Sequence, residues 1–76
     1  MFTYTVYKNN SAEKFKEACA MLEIHYNKAD KDKLLTDVDG TQIQVYHTNG
    51  NEIIVFNDIE IGAVYIKSQV DLSDIF

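Results

Sequence analysis

In TQIQVYHTNGNEIIVF, residues 41–56, an Asn-Gly pair lies between two segments of alternating side chains. Asn49-Gly50 is typical of a two-residue type I′ turn, since both central positions of that turn need positive φ. Such a turn fixes the register of the strands that it joins. We therefore predict a hairpin in which Val45 opposes Ile54 and Ile43 opposes Phe56.

Two more turns are predicted on either side of this hairpin, at Asp39-Gly40 and at Asn57-Asp58. Each lies between segments rich in Ile, Val, Tyr and Thr, which favour β-structure. With the Asn49-Gly50 turn they define four strands, near residues 33–38, 41–48, 51–56 and 59–67.

The first part of the chain predicts one strand and one helix. MFTYTVYK alternates as a strand does, and NNSAEKFKEACAMLEIHY changes to helical spacing over residues 11–25. Asn10 or Ser11 can cap that helix, and Glu13 suits its first turn. We predict one α+β domain over residues 1–76, with two layers, in which one helix packs on a mainly antiparallel sheet in the order β-α-β-β-β-β.

Three two-residue turns would sort the strand residues onto two faces. The face predicted as the core collects Leu34, Val38, Ile43, Val45, Ile54, Phe56, Ile59, Ile61 and Ala63, with the helix covering it through Phe15, Cys19, Leu22 and Tyr26. The other face includes Tyr46, Ile53, Val55 and Val64. One helix cannot cover both faces, so these four residues are expected either to be exposed for a partner or to be covered by residues 69–76, which otherwise form a flexible tail.

The charge of the chain argues against one class of partner. Twelve Asp and Glu, seven Lys and no Arg give a net charge of −5. A protein without arginine lacks the bidentate group that favours base and phosphate recognition, so we expect no direct contact with nucleic acid. Residues 1–33 carry +1 and residues 34–76 carry −6, so the second half is predicted to form an acidic face.

Other functional classes find little support in the sequence. No apolar run of about 18 residues and no signal-peptide pattern occurs, so we expect a cytoplasmic protein without membrane contact. Cys19 is the only cysteine and is predicted to be a buried thiol. His25 and His47 lack partners at metal-ligand spacing, and His47 is expected beside Glu52. We expect no metal, no cofactor and no catalytic residues.

The string D-V-D-G-T at residues 37–41 resembles the first motif of the haloacid dehalogenase phosphatases. That resemblance implies a nucleophile at Asp37 and an acid/base at Asp39. The chemistry also needs a buried parallel strand, a lysine and further acids, in a longer doubly wound domain. We favour a tight turn.

The remaining signal is the placement of carboxylates. In a meander the Asp39-Gly40 and Asn57-Asp58 turns lie at the same end of the sheet, about 10 Å apart. That end is predicted to gather Asp37, Asp39, Asp58 and Glu60, which the tail could extend. Three interpretations remain open at this point: acids that only make turns and keep the chain dissolved, a protein-binding surface, and a divalent-cation site.

In size, in its lack of Arg and Pro and in its acidic sheet, the chain resembles small host-takeover proteins of lytic phages, some of which are DNA mimics. That resemblance implies an inhibitor that binds a basic DNA-binding host protein, such as the nucleoid protein HU, in the host cytoplasm. The expected contact residues are Asp37, Asp39, Glu52, Asp58, Glu60, Asp71, Asp74, Tyr46 and Ile53.

Two alternatives use other parts of the chain. A homodimeric regulatory or antitoxin-like module would self-associate through the apolar face that contains Tyr46, Ile53 and Val55. The C-terminal QVDLSDIF also resembles peptides that dock in sliding clamps, with Gln69, Leu72 and Phe76 at the matching positions.

Overall fold

A computed structural model describes residues 1–76 as one antiparallel sheet with one helix on it. The elements, in chain order, are β1 (Phe2–Tyr7), α1 (Ala12–His25), β2 (Asp30–Lys31), β3 (Leu35–Thr36), β4 (Gln42–Thr48), β5 (Asn51–Asp58) and β6 (Ala63–Ser68). The strands lie in the order β1-β6-β5-β4-β2, and β3 also pairs with β4. The predicted α+β class is confirmed, and the two-residue strand β2 is an addition to the predicted order.

The central hairpin has the predicted register. Asn49 and Gly50 both have positive φ, at 50° and 77°, as a type I′ turn requires. Val45 opposes Ile54, and Ile43 opposes Phe56. The strongest local turn signal in the chain therefore sets the pairing of its two longest strands.

The other two turns are longer than predicted, and the predicted registers across them are wrong. At the first turn the Asp37 N–H donates to the Thr41 carbonyl over 2.8 Å, so three residues lie in the turn and Leu35, rather than Thr36, opposes Ile43. At the last turn the Gly62 N–H donates to the Asp58 carbonyl over 2.8 Å, and Asp58 opposes Ala63. Gly62, with φ of 75°, supplies the left-handed residue that ends this longer turn.

The helix covers the opposite face of the sheet from the one predicted. The buried core consists of Phe15, Ala18, Cys19 and Leu22 from α1, Tyr46, Ile53, Val55, Val64 and Ile66 from the sheet, and Leu72 from the tail. The predicted core face was favoured because wrong registers added Leu34, Val38, Ile59 and Ile61 to it. Val38, Ile59 and Ile61 lie in the two turns, Leu34 lies between β2 and β3, and all four are exposed.

Polar groups fix the helix on this face. The Ser11 side chain caps α1 by accepting from the Lys14 N–H at 3.1 Å, as predicted. The Ser11 N–H donates to Oδ1 of the buried Asn57 on β5 over 2.9 Å, and Asn57 donates in turn to Gln42. The start of α1 is therefore bonded to the sheet, so the helix begins at a defined place above β5.

The last residues of the chain pack against the core. Leu72 is buried, and its N–H donates to the Tyr4 hydroxyl over 2.7 Å. Ile75 and Phe76 contact the core from the helix side. The tail therefore lies under β1 and beside α1, and it does not cover the side of the sheet away from α1.

Two neighbouring isoleucines test which face of the sheet is the core. Ile53 is fully buried under α1, whereas Ile54 lies on the other face and is half-buried. We expect Ile53→Ala to lower the free energy of unfolding by about 2–5 kcal/mol, because it leaves a cavity in a packed core. Ile54→Ala, the matched control, should cost clearly less. Urea unfolding of both variants measures the difference, and a larger loss for Ile54→Ala would contradict the assignment.

Candidate protein-binding surface

Two acidic turns meet at one end of the sheet. We call residues 37–40 and 58–61 the acidic tip. The Ile59 N–H in one turn donates to the Thr41 hydroxyl beside the other over 3.1 Å. A Cβ placed on Gly40 would lie 3.8 Å from Ile59 Cγ1, which is ordinary contact distance. The predicted juxtaposition of Asp37, Asp39, Asp58 and Glu60 at one end is therefore present.

Three of these carboxylates also hold their own turns. Asp37 Oδ1 accepts from the Val38 N–H at 2.8 Å, and Asp39 Oδ1 accepts from the Thr41 N–H at 2.9 Å. Asp58 Oδ1 accepts from the Ile61 N–H at 3.0 Å. Only the Glu60 carboxylate makes no hydrogen bond within the chain and is also exposed. These contacts hold three of the four carboxylates in place, and the second oxygen atoms of Asp37 and Asp39 accept no hydrogen bond within the chain.

Asp58 is the most strongly held acid of the tip. The Ile61 N–H and the Tyr65 hydroxyl, which donates to Asp58 Oδ2 over 2.9 Å, lower the pKa of the Asp58 carboxyl. Burial and the Asp58 charge raise the pKa of Tyr65 to about 12. Asp58 therefore keeps its negative charge to lower pH than an ordinary aspartate.

Exposed apolar side chains lie between the acids of the tip. Val38 stands between Asp37 and Asp39 and is fully exposed, and Ile61 follows Glu60 with 67% of its surface exposed. Ile59 is also exposed. A surface that alternates carboxylates with apolar groups is typical of a protein contact, since apolar area adds affinity to the attraction between charges.

The sheet face away from α1, which we call the open face, continues this surface. Its half-buried side chains are Ile43, Val45, Ile54, Phe56 and Tyr65. The Phe56 and Tyr65 rings stack with centroids 4.7 Å apart, and the Lys67 ammonium lies 5.8 Å from the Phe56 ring centroid. No element of the chain covers this face, because the single helix and the tail both lie on the other side.

Tyr46 and Ile53 are wrongly predicted as contact residues. They are 2% and 0% exposed, because α1 covers the face on which they lie. The Tyr46 hydroxyl donates to Glu23 Oε2 over 2.7 Å, and this hydrogen bond is the main cause that lowers the pKa of Glu23. The homodimer alternative assigned its contact to Tyr46, Ile53 and Val55. All three are buried under α1, so they cannot form a dimer contact.

The remaining predicted acids lie away from the tip. Glu52 follows the Asn49-Gly50 turn at the opposite end of the hairpin, opposite His47 as predicted. Asp71 accepts from the Tyr4 hydroxyl and from the Ser73 N–H, each at 2.9 Å, and Asp74 borders the end of α1. Asp71 and Asp74 therefore belong to the helix side of the molecule and do not extend the acidic tip.

His47 has a partner that the sequence did not indicate. Its Nε2 lies 2.9 Å from Asp32 Oδ2, because β2 brings the segment after α1 alongside β4. This hydrogen bond is the main cause that raises the pKa of His47. Both side chains are about half exposed, so the pair is a surface contact of small energetic effect.

The D-V-D-G-T string forms a tight turn between the antiparallel strands β3 and β4, and Asp37 and Asp39 are exposed. This arrangement differs from the buried parallel strand that the phosphatase resemblance implies. No group of three or more His, Cys, Asp or Glu side chains in the chain is arranged to hold a metal ion. Leu72 of the clamp-like peptide is 1% exposed, so that residue is not free to dock.

The comparisons with known proteins give no functional lead. No protein-family model matches the chain, and no curated protein or solved structure shows significant similarity to it. No helix of the structure has the length and apolar character needed to cross a membrane.

The Asp58 hydrogen bonds predict an acid-sensitive part of the stability. Because the folded-state pKa of Asp58 lies below its unfolded value, its contribution is present above the unfolded pKa and is lost as pH falls through the folded pKa. We expect a ¹³C carboxyl titration to give a midpoint below the ordinary aspartate value, and Tyr65→Phe to raise it. An unchanged midpoint in Tyr65→Phe would contradict the assigned hydrogen bond.

Proposed function

We propose that this chain is a non-enzymatic inhibitor that binds a basic DNA-binding protein and occupies its nucleic-acid site. The observation that carries this proposal is the acidic tip, in which two hydrogen-bonded turns present Asp37, Asp39, Asp58 and Glu60 with exposed apolar side chains between them. The partner class is the one that the charge of this surface would attract, such as the nucleoid protein HU in the cytoplasm of a host cell.

The distribution of charge in the chain favours contact with a basic partner through the acidic tip. Residues 34–66 contain five acids and no lysine. This segment includes both turns of the tip and the strands β4 and β5, which end beside them. Lys14 and Lys16 lie on α1, in the other layer, and Lys14 is paired with Glu17 at 3.3 Å. A concentrated negative field of this kind accelerates encounter with a basic surface and disfavours acidic partners.

The rigidity of the tip supports mimicry of DNA rather than loose attraction. DNA presents phosphates at fixed positions, so a protein that replaces it benefits from carboxylates whose positions are also fixed. The turns position Asp39 and Asp58 through backbone N–H groups, and this reduces the conformational entropy that binding would cost. The exposed Val38, Ile59 and Ile61 can then contact the apolar parts of lysine and arginine side chains.

The proposal predicts displacement of DNA from a basic protein. Purified HU bound to a fluorescent DNA duplex should release the duplex when the chain is added, and the release should weaken with salt, because the attraction is screened. Val38→Lys with Glu60→Lys should weaken the displacement about tenfold or more, since like charges then face the partner. Fluorescence anisotropy measures the release. Neither substitution removes a hydrogen bond of the turns.

A matched control separates the tip from net charge. Glu17→Lys with Ile24→Lys makes the same charge change on exposed positions of α1, at the cost of one exposed ion pair. This control should displace DNA nearly as well as the unaltered chain. Equal weakening by both double variants, or no displacement by the unaltered chain at saturating concentration, would contradict the proposal.

A further inference from the structure

The two edges of the sheet differ in how they are protected. At one edge, β4 is partly covered by the two-residue strands β2 and β3, and β2 consists of the charged pair Asp30 and Lys31. At the other edge lies β1, whose six residues FTYTVY contain no charge and no proline. Short strands and charges prevent edge pairing, whereas a long uncharged edge strand invites it.

The outer backbone groups of β1 have no partner within the chain. In an antiparallel pair, alternate residues bond to the neighbouring strand, and the others point their N–H and C=O groups outward. β1 pairs only with β6, and no backbone hydrogen bond outside the regular elements involves residues 1–10. A bulge interrupts the pairing near Val6, so Phe2, Thr3, Tyr4 and Thr5 form the regular part of this edge.

Apolar side chains lie beside the same edge on the helix side. Phe2, Tyr7 and Met21 are 45%, 41% and 42% exposed, although each could be buried by a neighbour at this edge. A groove of about 460 Å³ between β1 and α1 is lined by Val6, Tyr7, Met21 and Phe76, among others. A strand added to β1 would therefore gain backbone hydrogen bonds and an apolar contact together.

The charge distribution favours a second copy of this chain as the added strand. In a protein of net charge −5, two copies repel each other wherever their acids meet, but β1 itself contains no acid. The carboxylates beside it, Asp71 and Glu17, are bonded to the Tyr4 hydroxyl and to Lys14. The Asp37 and Asp39 turn, between β3 and β4, is separated from β1 by about 15–19 Å of sheet width. Antiparallel pairing of two β1 strands would also place the two acidic tips at opposite ends.

We propose that β1 pairs antiparallel with β1 of a second copy, so that two six-stranded sheets join into one continuous sheet about a two-fold axis. Faces match when even-numbered residues oppose even-numbered ones, and in the register centred on the regular part of β1, Tyr4 opposes Tyr4 and Thr3 opposes Thr5 across the axis. The helices then lie side by side on one face, with Phe2 and Met21 at their boundary. This dimer goes beyond the proposed inhibitor function and uses a different surface from the acidic tip.

Thr3 and Thr5 allow a charge-exchange test. Both are exposed on the open-face side of β1, and neither side chain makes a hydrogen bond within the chain. The unaltered chain should sediment at twice its 8.7 kDa mass at micromolar concentration. Thr3→Lys with Thr5→Lys should halve that mass, because like charges face each other across the axis. Mixing this variant with the Thr3→Glu, Thr5→Glu variant should restore the dimer.

Two further measurements keep the result unambiguous. Thr36→Lys with Asn27→Lys adds the same charge near the opposite edge and should leave the dimer intact. Far-UV circular dichroism checks that each variant is folded. This check is needed because residue 3 lies opposite Lys67 on β6, so a lysine there meets a like charge within the chain and a glutamate meets an opposite charge. An unaltered chain that sediments as a monomer up to about 100 µM overturns the proposal. So does a dimer that both charged variants retain, because another surface then forms it.

Discussion

The burial of α1 against the Tyr46, Ile53 and Val55 face of the central hairpin is the interaction on which the rest of the structure depends. Each large apolar side chain removed from water there contributes about 1.5–3 kcal/mol, whereas a single hydrogen bond contributes about 0.5–1.5 kcal/mol. The choice of covered face is therefore made by packing. The polar bonds from Ser11 to Asn57 and from Tyr46 to Glu23 then fix where the helix begins and how it is oriented.

That choice determines which surfaces are left for function. A chain with one helix can cover only one face, so the open face and both turns at its end remain accessible. Three of the four acids of the tip are held in place because Asp37, Asp39 and Asp58 bond to backbone N–H groups of their own turns. The same side chains thus form the turns and supply the charge, which explains how so small a domain can present an organised acidic surface.

The sequence predicted most of the fold, and its failures have a common cause. The Asn49-Gly50 hairpin, the Ser11 cap and the α+β order follow from local signals, and they are correct. The other two turns contain one and two additional residues in their loops, which local pattern does not count. Those register errors moved exposed residues such as Ile61 onto the predicted core face and so favoured the wrong face.

The candidate site was predictable in part for the same reason. Asp37, Asp39, Asp58 and Glu60 are brought to one end by any up-and-down meander, so their proximity did not depend on the exact registers. The apolar members Val38, Ile59 and Ile61 were missed because they were counted as core. Asp32 could not be linked to His47, since their contact depends on the two-residue strand β2, for which the sequence gives no periodic signal.

The proposed function depends most on whether the acidic tip is the surface that contacts a basic protein. Titration of the ¹⁵N-labelled chain with purified HU, followed by amide chemical shifts, tests this claim residue by residue. We expect shifts at residues 37–40 and 58–62, with neighbouring changes on the open face, that disappear as salt is raised. Shifts confined to α1 or to the tail, or no shifts at all at low salt, would contradict the proposed function.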